Sequence, residues 1–80
     1  MFVYILRSER NGRYYTGSAT HLENRLNEHN SGENASTRPG IPWRFVHFIE
    51  IKTRSEAVRL EKQIKSRGAK RYLEDLKESG

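Results

Sequence analysis

Two runs rich in aromatic and β-branched residues, Phe2-Val3-Tyr4-Ile5-Leu6 and Arg13-Tyr14-Tyr15-Thr16-Gly17, stand on either side of an Asn11-Gly12 step. Asn-Gly is a strong short-range hairpin signal, because both residues tolerate the positive φ angles that a tight turn between right-twisted strands requires. The start of the chain is therefore expected to form an antiparallel ribbon. A ribbon alone is marginal in water, so the rest of the chain must supply a further strand and helices to cover it. With a two-residue turn, even positions of the first strand share a face with odd positions of the second, which puts Tyr4 and Tyr15 on one side. A longer turn would change that register.

Beyond the ribbon, Thr20-His21-Leu22-Glu23 matches a capping box, in which the Thr20 hydroxyl and Glu23 carboxylate satisfy free backbone donors at a helix start. That helix is expected to end near Ser31-Gly32. From Gly32 to Pro42 the glycines, prolines and small polar residues read as a long surface loop, of a kind that is often functional in a small domain. Trp43 to Ile51 carries aromatic and branched residues on both faces, as expected of a central strand covered on each side. Thr53 and Glu56 form a second capping box, opening a helix through about Ser66. Gly68 breaks it, and Tyr72, Leu73 and Leu76 give a last, short amphipathic helix. The expected order is β-β-α-β-α-α: an α+β fold in which a small three-stranded, mostly antiparallel sheet is flanked by helices. No repeat, linker or low-complexity tract interrupts it, so residues 1–80 are expected to form one domain.

Composition narrows the means of stabilisation and the partners. No cysteine is available for a disulfide or a thiolate zinc site, and His21, His29 and His47 lack metal-ligand spacing, so packing must hold the fold. The apolar run Phe2 to Leu6 is too short for a signal peptide or a membrane span, and a cytoplasmic protein is expected. Net charge is +5 with a sequence pI near 9.9. Most of the excess lies late in the chain, where Arg59, Lys62, Lys65, Arg67, Lys70 and Arg71 are interrupted by one acid, Glu61. Such a surface suits a polyanion such as nucleic acid, although a solvated helix face has the same composition.

The informative positions are polar residues where helical periodicity calls for apolar ones, since burying such groups is costly unless they are paired. On the first helix Leu22, Arg25, Leu26 and His29 share a face, so Arg25 and His29 are expected to point toward the sheet. On the second, Ala57, Leu60, Glu61 and Ile64 form the inward stripe and bring a carboxylate beside the core. A buried Arg25–Glu61 ion pair would account for both charges without any chemistry, and tyrosines on a sheet often serve only as packing. Taken as a set, however, the groups cover phosphodiester hydrolysis: a guanidinium to hold phosphate, a carboxylate to hold a metal, and hydroxyls to orient or deprotonate water. That reaction requires charge neutralisation, because a dianionic transition state forms from a monoanionic substrate.

Phe2-Val3-Tyr4, then Tyr15-Thr16-Gly17, then Arg25 and His29 on a helix, then Glu61 on a later helix resembles the GIY-YIG nuclease superfamily. The resemblance covers nearly the whole chain, and it is nearest to small stand-alone bacterial members and to the nuclease module of the excision-repair protein UvrC. It implies that Tyr4 and Tyr15 flank the attacking water, one of them acting as base or relaying its proton. An ordinary tyrosine, with a pKa of about 10, would need a nearby cation to act as a base at neutral pH. The resemblance further implies that Arg25 clamps the scissile phosphate, that His29 assists proton transfer or phosphate binding, and that Glu61 ligates a single Mg²⁺ or Mn²⁺. Gly17 and a Thr37-Arg38 step on the long loop would lie along the nucleic-acid-binding edge, joined by Lys62, Lys65, Arg67, Lys70 and Arg71. The chain departs from the pattern at Phe2, Val3 and Thr16, which replace glycine, isoleucine and isoleucine, and no asparagine follows Glu61.

The leading expectation is a metal-dependent endonuclease acting on DNA, with branched or damaged forms as candidate substrates. The alternative is a nucleic-acid-binding accessory module with the same fold and little or no cleavage, working beside a protein partner that supplies targeting. A purely structural or protein-interaction role is the third reading. DNA against RNA, oligomeric state and pathway are not encoded in any feature of the sequence.

Overall fold

The computed structural model describes residues 1–79. Among them the elements run β1 (Phe2–Ser8), β2 (Tyr14–Ala19), α1 (Leu22–Ser31), a 3₁₀ turn (Arg38–Gly40), β3 (Trp43–Glu50), α2 (Arg54–Arg67) and α3 (Ala69–Ser79). This is the expected α+β order, and the three strands form one antiparallel sheet.

The strand order is β2-β1-β3. β1 is the central strand, and its run Val3-Tyr4-Ile5-Leu6 is buried on both faces. β3, expected at the centre, is instead an edge strand, with Phe48 53% exposed. The misreading has a local cause. The β1–β3 register slips between Ile5 and Leu6, where Ile5 opposes His47 while Leu6 opposes Phe45. A bulge of this kind adds a residue to one strand and breaks its alternation, so apolar residues on both sides of the break mimic a strand buried on both faces.

The hairpin also differs in detail. Ser8 N–H donates to the Arg13 carbonyl, and the connection spans Glu9 to Gly12 rather than two residues. Gly12 takes a φ of 76°, the left-handed conformation expected of this position. The loop is longer by two residues, an even number, so the parity survives: Tyr4 opposes Gly17 and Leu6 opposes Tyr15. Tyr4 and Tyr15 therefore do share a face.

Each face has its own core. Val3 and Ile5 pack with Ala57 and Ile64 of α2, joined by Tyr14, Leu60, Tyr72 and Leu73. On the other face Tyr4, Leu6, Ala19 and Trp43 pack with Tyr15, Leu22, Leu26, Ile41 and Phe45. The helices thus enclose the sheet, α1 on the tyrosine face and α2 with α3 on the opposite one. Thr53 caps α2 as expected, its hydroxyl accepting the Glu56 amide at 3.2 Å. The Thr20 capping box does not form. α1 is capped at His21 with no side-chain bond, because β2 stays paired through Ala19 and the following residues are spent on leaving the sheet. Gly32, at a φ of 84°, ends α1.

Candidate active site

Tyr4 lies on the central strand with its ring inside the protein, 1% exposed. Its hydroxyl is 3.0 Å from Nε2 of His29, which is itself buried on the inward side of α1. His29 Nδ1 is in turn 3.0 Å from the Thr37 hydroxyl, and Thr37 Oγ1 lies 3.4 Å from the Asn34 carbonyl. Tyr15 stacks obliquely beside this chain, its ring centroid 4.7 Å from that of His29 and 6.3 Å from that of Tyr4. Unlike Tyr4 it is only half-buried, so it is the phenol with access to solvent.

Gly17 makes this arrangement possible. It opposes Tyr4 on β2, and a Cβ built there would sit 2.7 Å from the Tyr4 hydroxyl oxygen and 3.1 Å from a Tyr15 ring carbon. Only a residue without a side chain lets the two phenols converge. Gly17 is itself buried beneath them.

Three charged residues act on the same phenol. Burial is the largest influence on Tyr4 and raises its pKa above the ordinary tyrosine range, and Tyr15 raises it further. Arg25 opposes that shift, while Glu61 and Glu28 add to it. The cation at Arg25 is thus outweighed, and Tyr4 stays a protonated phenol at neutral pH. Burial, with a smaller contribution from Arg25, likewise lowers the pKa of His29 and favours neutral imidazole.

Glu61 belongs to α2, which packs on the face of the sheet opposite Tyr4 and Tyr15. β2 is an edge strand, so no further strand separates the two faces at that margin. Glu61 keeps 24% of its side chain exposed and holds Lys65 at 2.8 Å.

Several expected placements change. Arg25 lies at the rim, 44% exposed and 3.6 Å from Glu28, rather than turned into the sheet, because a guanidinium on that face reaches solvent more cheaply than it could be buried. The Arg25–Glu61 ion pair does not form, since each residue has a different partner on its own helix. Thr37, expected on the binding edge, is buried against His29. Arg38 beside it is exposed and donates through Nε to the Gly32 carbonyl at 2.8 Å. Of the late basic residues, all exposed, Lys65 pairs with Glu61 and Arg67 grips Asp75 through two nitrogens, while Lys62, Lys70 and Arg71 extend into solvent.

The loop that carries Thr37 is firmly held, which its composition does not reveal. Trp43 donates its indole N–H to the Thr37 carbonyl at 2.7 Å, and Asn30 bonds both backbone groups of Trp43. Ser8 donates to the Gly40 carbonyl at 2.6 Å. Asn30, Trp43 and Ser8 were not singled out from the sequence, because each acts through backbone groups that come together only in the folded chain.

Opening onto this cluster at His29, an open pocket of about 420 Å³ is lined by Arg25, Glu28, His29, Glu33, Asn34 and Ala35. A family model described as the GIY-YIG catalytic domain matches residues 1–73. The chain belongs to the GIY-YIG family. Curated relatives include a UPF0213 protein of Haloquadratum walsbyi, 44% identical over 66 residues that cover 81% of this chain and 73% of that protein. One from Halobacterium salinarum is 39% identical over 74 residues, covering 89% and 95%, and one from Halalkalibacterium halodurans is 38% identical over 79 residues, covering 95% and 83%. No solved structure matches at a significant level. The GIY-YIG assignment supports a nuclease-type function in general, and among the described residues no helix is long and apolar enough to cross a membrane.

Proposed function

We propose that this GIY-YIG domain is a metal-dependent endonuclease that hydrolyses phosphodiester bonds in DNA. The observation that carries the reading is the convergence of Tyr4, Tyr15 and His29 beside the open pocket that Arg25 lines.

Arg25 is available to a phosphate. Its contact with Glu28 joins two half-exposed side chains, and such pairs are worth only about 0.2–1 kcal/mol. A bidentate bond to a phosphate can replace it. Tyr15, the half-buried phenol, orients the attacking water through its hydroxyl oxygen. Tyr4 stands behind it, held as a neutral phenol against His29.

Glu61 is the residue that would hold the cation. Among the described residues no three His, Cys, Asp or Glu side chains cluster as a metal site, and one carboxylate completed by waters suits Mg²⁺ or Mn²⁺ rather than zinc. When bound, such an ion supplies the positive charge that a dianionic transition state needs. The Lys65 partner is an i,i+4 surface pair of about 0.3–0.5 kcal/mol, small enough for a divalent ion to displace.

That same pair favours the second reading. If Lys65 keeps Glu61 neutralised, the domain binds nucleic acid through its basic surface without cutting, as an accessory beside a targeting protein. The purified chain should nick plasmid DNA or a branched oligonucleotide in Mn²⁺ or Mg²⁺, and Glu61→Ala should abolish nicking while leaving DNA affinity nearly unchanged. Salt-dependent binding with no metal-dependent cleavage would decide for the accessory module.

A further inference from the structure

The polar chain behind Tyr15 has a direction. Among the described residues the Tyr4 hydroxyl has one hydrogen-bond partner, His29 Nε2 at 3.0 Å. The ring is 1% exposed, so a hydroxyl proton aimed elsewhere would be buried without an acceptor. Tyr4 therefore donates to Nε2, and that nitrogen must carry a lone pair. A neutral imidazole has a single N–H, which is then on Nδ1, facing Thr37 Oγ1 at 3.0 Å. The Thr37 hydroxyl accepts it and turns its own proton to the Asn34 carbonyl at 3.4 Å. Reversing the chain would put the imidazole proton on Nε2 against Tyr4 and strand the phenolic O–H.

We propose that Thr37 is a positioning residue of the nuclease site: it fixes the His29 proton on Nδ1, commits the Tyr4 proton to Nε2, and leaves the Tyr4 oxygen only as an acceptor on the side facing Tyr15. The Tyr4 oxygen then presents a lone pair rather than a proton toward the Tyr15 ring, whose centroid lies 6.3 Å from that of Tyr4. The part concerning turnover rests on the endonuclease reading; the tautomer does not.

The surroundings suit a neutral ring with a fixed proton. The titratable and charged groups around His29 among the described residues are Tyr4 from β1, Tyr15 from β2, Arg25 and Glu28 from its own helix, and Glu33 of the loop, which lines the same pocket, while the Thr37 hydroxyl is the loop's hydrogen bond to the ring. No carboxylate bonds either ring nitrogen among the described residues. Thr37 is itself held by the Trp43 indole on its carbonyl, which fixes the backbone that carries the hydroxyl beside Nδ1. This accounts for a buried threonine on a loop whose composition reads as surface.

The test has two independent readouts on the full chain. Long-range ¹⁵N–¹H correlation spectra of the metal-free protein at neutral pH should show His29 protonated on Nδ1, the form that a free histidine side chain disfavours. Thr37→Val, which keeps the shape and removes the hydroxyl, should shift that population toward Nε2–H, and Thr37→Ser should restore it. With Mn²⁺ and a nicked-product assay, at a temperature where circular dichroism shows each variant folded, Thr37→Val should lower kcat by about 10- to 100-fold with KM changed less than about twofold, the size usual for an outer-shell partner. A wild-type His29 carrying its proton on Nε2, or a Thr37→Val spectrum with the tautomer unchanged, overturns the proposal whether or not the protein cuts DNA. Equal loss of kcat in the valine and serine variants would also overturn it, because the hydroxyl would then not be the cause.

Discussion

Replacing Gly17 with alanine isolates the close approach on which the tyrosine cluster depends. Gly17 does not have a positive φ, so alanine can adopt its backbone and the effect is steric. The new Cβ would lie 2.7 Å from the Tyr4 oxygen and 2.9 Å from the adjoining ring carbon. Restoring an ordinary separation of about 3.5 Å requires a movement of roughly 0.8 Å. Tyr4 has little room for it, with the rings of Phe45, His29 and Tyr15 at centroid distances of 5.9, 6.1 and 6.3 Å. Overpacking of this kind costs about 1–3 kcal/mol, and stretching the buried Tyr4–His29 bond adds about 1 kcal/mol. The sum, roughly 2–4 kcal/mol, is a large share of the about 4–12 kcal/mol expected of a domain this size. Urea unfolding followed through Trp43, the single tryptophan, should show that loss, with Ser18→Ala on the same strand as control. Cleavage measured where the variant remains folded should fall as well. A Gly17→Ala protein within about 0.5 kcal/mol of wild type and equally active would show that the phenol is not confined as described.

Acid should weaken the fold through His29. Its folded pKa is held below the ordinary 6.5, chiefly by burial, so the unfolded chain binds the proton more readily. The stabilisation is complete above pH 6.5 and is lost as pH falls below that value through the folded pKa, so urea midpoints should drop over this window, and His29→Gln should remove that part of the slope. At the start of α2, Thr53→Ala should cost about 1 kcal/mol by removing the cap on the Glu56 amide, whereas Thr20→Ala, at a capping box that does not form, should be nearly neutral by the same denaturation assay.

The sequence alone determined the features that depend on neighbouring residues. The two strands, the cap at Thr53, the helix stops at Gly32 and Gly68 and the inward stripe of α2 all follow from local turn chemistry and periodicity, which act over a few residues. Even the shared face of Tyr4 and Tyr15 withstood an error in turn length, because strand parity ignores a shift of two. Tertiary structure decided the rest. It placed β1 rather than β3 at the centre, since a bulge disguised the alternation of β3. It sent Arg25 to the rim and kept Glu61 beside the core margin, although periodicity treats both simply as charges on inward stripes. It also drew Thr37 out of a polar loop and into contact with His29. A side chain buried by residues far away in the chain leaves no local pattern: its burial is set by Trp43, Asn30 and Ser8 closing the loop from three different elements, and those contacts exist only once the chain has folded.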